Sequence, residues 1–163
     1  MIAQNLIFGI LSVVMGLAAL RVVTTQNVVH AALYLVVVLG GVAGIFILLA
    51  AEFAAITQVL VYIGAIVVLF LFGLMLTKAP IGKAANLDND QKFVAALVSV
   101  MLFGVLAWAQ IDAFQRVEVQ PDRVGTSAMV GNSIFTQYLV PFEVISVLLL
   151  AALVGAVVIA RKD

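Results

Sequence analysis

The groups that could do chemistry are few, and all of them stand in or beside long apolar runs. Glu143 follows Pro141 and Phe142 at the head of one run, Glu52 marks the boundary between two others, and Tyr62 and Gly64 lie inside the uncharged stretch 53–77. An ionisable group among membrane helices is costly and by default marks a path for protons or ions. Glu143, about 8 Å into its run by helical rise, either faces a partner or a hydrated cavity, or is held near the helix N-terminus by the dipole and reaches outward. Glu52, placed in a turn, is either a solvated boundary residue or a second proton-path group. Tyr62 is expected roughly 15 Å along its helix, far from the interfacial belt where tyrosine usually sits, so its hydroxyl needs a partner. Either it bonds a neighbouring helix that Gly64 lets approach, or the pair forms a gate or proton-path element.

Composition excludes much else. The absence of cysteine rules out disulfides, cysteine-ligated iron–sulfur clusters and thiol catalysis within the chain. A single His30 leaves no transition-metal site, and a net charge of zero gives no footprint for nucleic acid. No catalytic residue is expected here, and any chemistry is shared with partners. His30 clusters with Arg21 and Tyr34, where a lipid-headgroup or subunit-interface role is the plainer reading and proton transfer the sharper one.

The elements that position these groups follow from hydropathy. With 66% hydrophobic and 10% charged residues, the chain departs from the soluble balance of about 45–50% and about 25%. The fold class is all-α, a polytopic membrane protein with five spans at about residues 2–20, 31–51, 53–77, 93–111 and 138–160, forming one membrane domain over 1–163. The first run lacks the charge and cleavage pattern of a signal peptide and is expected to stay as a span. Residues 21–30 read as a polar link. Gly40 and Gly44 read as a flat stripe for close helix packing, and Trp108 as an interfacial anchor. The connections 78–92 and 112–137 read as loops, the second mostly irregular, with Phe135 and Tyr138 at the membrane surface.

With five spans, Arg21, Lys78, Lys83, Lys92, Arg161 and Lys162 share one side and only Arg116 and Arg123 the other. The positive-inside rule then puts the N-terminus outside and the C-terminus in the cytoplasm.

The run VYIGAIVVLFLF, with Glu52 and Phe53 upstream, is similar to the third span of subunit J of NADH-quinone oxidoreductase, the counterpart of mitochondrial complex I subunit 6. LRVVTTQNVVHAALYL (20–35) resembles that family's first connection and second span, and YLVPFEVISVLLLAALVGAVVIAR (138–161) its last span. The resemblance implies a membrane-arm subunit of a proton-pumping NADH:quinone oxidoreductase in the bacterial plasma membrane. FMN, iron–sulfur clusters and quinone would then belong to partner subunits or to the complex as a whole, and other membrane-arm subunits and lipid would surround the chain. It also implies a π-bulge near Tyr62 and Gly64 in a third helix that rotates between states. Gly73 departs from the family pattern, which leads one to expect a bulkier residue. Composition alone equally accommodates a non-redox subunit of a cation/proton antiporter or other transporter assembly, or a self-contained helical scaffold.

Overall fold

The structure, a computed structural model, describes residues 2–77, 91–114 and 125–161. Among these, five helices are long and apolar enough to cross a membrane: α1 (Ile2–Thr24), α2 (Val28–Leu48), α3 (Glu52–Leu76), α4 (Lys92–Phe114) and α6 (Leu139–Ala160). A shorter helix, α5 (Ser127–Thr136), precedes the last. The all-α, five-span class is as expected. Most of the connection 78–92 and part of 112–137 lie outside the described residues, as do Lys78, Lys83, Arg116, Arg123 and Lys162.

The link between the first two spans is much shorter than the expected 21–30. Thr24 Oγ1 donates to the Leu20 carbonyl at 2.8 Å in the last turn of α1, and Arg21 suits the negative end of that helix. Three residues on, Asn27 caps α2: its side-chain oxygen accepts from the Val29 and His30 N–H groups at 3.0 and 3.3 Å. Only residues 25–27 are left between the helices.

Helix α2 ends at Leu48 rather than at residue 51 because a tight reversal stops it. The Ala51 N–H bonds the Phe46 carbonyl and the Ala50 N–H bonds that of Ile47, the paired bonds of a Schellman motif. Ala50 occupies the left-handed position, φ 55°, where glycine is the usual residue. Glu52 is consequently the first residue of α3, not a turn residue.

Helix α2 lies between its two neighbours and meets each through small residues. A Cβ on Gly41 would overlap the Met15 side chain of α1, and one on Gly44 would stand 3.2 Å from Leu11 Cδ1 of the same helix. Gly40 instead faces α3, with Ile63 Cδ1 4.0 Å from where its Cβ would be. The stripe expected on Gly40 and Gly44 is therefore split between two interfaces: Gly40 meets α3, and Gly44 shares the α1 contact with Gly41.

The stretch expected to be irregular contains α5. Thr126 Oγ1 accepts from the Met129 N–H at 3.4 Å, a helix start that the glycine at 131 and asparagine at 132 obscured. Tertiary packing completes it: Val130 and Gly125 border a hollow with Phe53, Ala54 and residues 49–51 of the α2–α3 turn. Phe135 meets Phe142 of α6 edge-on, centroids 5.2 Å apart. In contrast, α4 makes no contact with another helix among the described residues, and neither α4 nor α6 has a buried residue.

Candidate functional site: the π segment of α3

Helix α3 is not α-helical throughout. Glu52–Thr57 is α, Gln58–Val67 is a ten-residue π-helix, and Val68–Leu76 is α again. The transition has local causes. Thr57 Oγ1 donates back to the Phe53 carbonyl at 2.8 Å, a bond that bends helices, and the next N–H, of Gln58, is shared between the Ala54 and Ala55 carbonyls. Inside the wide turn, a Cβ at Gly64 would lie 3.4 Å from the Val59 carbonyl, five residues back. A methyl there would make ordinary contact and a branched side chain would crowd the carbonyl; π-helix is rare and frequent at functional sites.

The segment changes which residues face α2. Ala55 is buried before it, Gln58 at its start and Val67 at its end, with Ile63 against Gly40 between them. The step from Gln58 to Ile63 is five residues, the step from Ile63 to Val67 four. In a continuous α-helix, at about 100° per residue, Tyr62 would fall between Ala55 and Gln58 on that inner face. Here Tyr62 is turned out, 47% exposed. The π segment thus substitutes Ile63 for Tyr62 at the α2 contact.

The sequence-predicted groups are distributed rather than converged. Tyr62 and Gly64 share the π segment, and the Tyr62 hydroxyl has no hydrogen bond among the described residues. Among the described residues no other helix stands against Gly64, so the neighbour it was expected to admit is not one of them. Glu52 is exposed and lines an apolar groove of about 430 Å³ with Ile47, Ala55, Ile56, Val59 and Leu60, which runs up to the start of the π segment. Glu143 is exposed, in the second turn of α6 and not the first, and α6 does not touch α3 among the described residues.

One residue passed over as a site stands out. Gln58, the first residue of the π segment, is 8% exposed, and its amide makes no hydrogen bond among the described residues. A polar residue on the inner face of an apolar helix was visible in the sequence. Its burial was not, because the face of α3 that packs on α2 is set by tertiary contacts and no polar stripe marks it.

Fold and site together define a multi-pass membrane protein whose third span carries a π-helix around Tyr62 and Gly64. The chain belongs to the family of NADH-ubiquinone/plastoquinone oxidoreductase chain 6, whose model matches residues 18–159. It is 39% identical over 165 residues to F(420)H(2) dehydrogenase subunit J of Methanosarcina mazei, covering 98% of this chain and 92% of that one. It is 41% identical to NAD(P)H-quinone oxidoreductase subunit 6 of the Mesostigma viride chloroplast, over 98% and 85% of the two chains. To NAD(P)H-quinone oxidoreductase chain 6 of a Synechocystis species it is 40% identical, over 98% and 82%. Membership in this family favours a quinone oxidoreductase assembly over the antiporter alternative.

Proposed function

We propose that this chain is a membrane-arm subunit of a proton-translocating NADH:quinone oxidoreductase, in which α3 couples quinone reduction to proton movement by changing its helical form. The observation that carries the reading is the π-helix at Gln58–Val67. A π segment and an α segment of the same residues differ in which side chains face a neighbour, so conversion would swap Ile63 for Tyr62 at the α2 contact and rotate the rest of α3. That is a two-state element of the kind coupling needs.

In this reading Tyr62 and Gly64 form the gate, and Glu143 and Glu52 are the carboxylates the chain offers to a proton path that neighbouring subunits complete. Residues 1–163 form one domain of the bacterial plasma membrane, N-terminus outside and C-terminus cytoplasmic, consistent with the side-to-side imbalance of Lys and Arg. The bare faces of α4 and α6 are covered by other membrane-arm subunits and lipid. FMN and iron–sulfur clusters reside in partner subunits, because a chain without cysteine has no thiolate ligands to hold a cluster; quinone is reduced at the level of the complex.

Gly64→Val is the test. Its branched Cβ stiffens the backbone and crowds the Val59 carbonyl, whereas Gly64→Ala makes only an ordinary contact there. NADH:quinone activity per assembled complex is expected to fall several-fold in Gly64→Val and to change little in Gly64→Ala. Unchanged activity per complex with reduced assembly makes Gly64 a packing residue and removes the support for a gate.

A further inference from the structure

We propose that the seam between α1 and α2 binds an anionic phospholipid, with its phosphodiester on Arg21 and Tyr34 and an acyl chain along Val14, Leu17, Ala18 and Val37. These six residues line one groove of about 290 Å³. Four of them, Val14, Leu17, Ala18 and Arg21, recur on α1 at helical spacing, so three apolar side chains lead along one face to a guanidinium.

The register of the two helices fixes the geometry. Met15 lies against Gly41 and Leu11 against Gly44, an antiparallel pairing in which each step up α1 is matched by a step down α2. From Met15 to Arg21 is about 9 Å of helix and from Gly41 to Tyr34 about 10 Å. Arg21 and Tyr34 therefore stand at one level across the seam, near the end of the hairpin. His30 is one turn further out on the Tyr34 side of α2.

Charge chooses the occupant. The first 51 residues contain no Asp or Glu, and the earliest carboxylate, Glu52, is at the opposite end of the hairpin. The Arg21 guanidinium has no ion pair, and the Tyr34 hydroxyl no hydrogen bond, among the described residues. A planar donor fork above an apolar slot, beside a phenol at interfacial depth, matches a phosphodiester with its tail. A neighbouring apolar helix would fill the slot and leave the guanidinium without a partner.

The test is density in the groove of the whole assembled complex, reconstituted in nanodiscs of phosphatidylglycerol, of phosphatidylcholine, or of phosphatidylcholine with added inorganic phosphate. Expected are a phosphate peak on Arg21 with a continuous acyl chain in phosphatidylglycerol, and occupancy lower by about fivefold in phosphatidylcholine, the effect of one surface cation on an anionic lipid. Arg21→Gln should lose the peak and Arg21→Lys keep it. A protein helix in the groove, equal occupancy by the two lipids, or a phosphate peak without a chain each overturns the proposal. If Arg21→Gln does not assemble, the three wild-type maps decide alone.

Discussion

Ile63 of α3 rests on Gly40 of α2, its Cδ1 4.0 Å from where a glycine Cβ would project, while the Cβ direction of Gly41, the next residue, points into the Met15 side chain of α1. Consecutive glycines, about 100° apart around the central helix, thus serve two different interfaces. Their tolerance to a methyl group differs accordingly.

Gly40→Ala places its methyl at ordinary contact distance and should leave stability within about 0.5 kcal/mol of wild type. Gly41→Ala drives a methyl into the Met15 side chain, forcing α1 and α2 apart or Met15 into a new rotamer, at a cost of about 1–3 kcal/mol. The yield and thermal stability of the assembled complex check this. Equal behaviour of the two variants contradicts the division of α2 into two faces.

The turn between α2 and α3 gives a stabilising prediction. Ala50 sits at φ 55°, where an L-residue costs about 1–2 kcal/mol relative to the right-handed region and glycine does not. Ala50→Gly should raise the thermal stability of the assembled complex, by at most about 1 kcal/mol because glycine also gains entropy in the unfolded chain. Lowered stability would mean that the Ala50 methyl packs against a neighbour.

Orientation is checked chemically. This chain has no cysteine of its own, so a cysteine at Lys83 and one at Arg123 can each be followed on the isolated subunit after labelling sealed vesicles with an impermeant thiol reagent. The two should react from opposite sides, Lys83 from the cytoplasm. Labelling from the same side rejects the topology.

How much of this could be read from residues alone varied with how each feature is written into the chain. Membrane helices announce themselves through runs without charge, so their number and order were legible, while their ends were not: α1 and α4 run on past the expected ends to Thr24 and Phe114, and α2 is bounded by the Asn27 cap and the Ala50 reversal. Helix α5 was hidden because its capping threonine is followed by a glycine and an asparagine, and its stability comes from Phe53, Ala54 and Phe142 on other elements. The π segment leaves almost no trace in composition. Residues 59–61 and 65–70 are apolar on every side, so no polar stripe records whether the turn is α or π, and the expectation of a bulge came from resemblance. For the same reason, neither the burial of Gln58 nor the exposure of Tyr62 was accessible without the backbone.

The exposure of Tyr62 frames the last prediction. Its hydroxyl bonds nothing among the described residues, yet a phenol surrounded by lipid would leave a polar group unpaired at a cost of about 1–3 kcal/mol. On the proposed function, the hydroxyl meets water or a polar group in the assembled complex. Tyr62→Phe removes the oxygen and keeps the ring, so α3 should form, the contact of Ile63 with Gly40 should survive, and the complex should assemble. If the hydroxyl orders water or a neighbouring carboxylate while α3 converts between its π and α forms, the protons translocated per NADH oxidised, or the coupled rate, should fall in sealed vesicles. Tyr62→Ala supplies the comparison, since deleting the ring leaves a void in whatever surface the complex builds there and should reduce assembly as well. Wild-type rate and stoichiometry in Tyr62→Phe, with assembly lost in Tyr62→Ala, would show that the ring is a packing element and the hydroxyl takes no part in coupling.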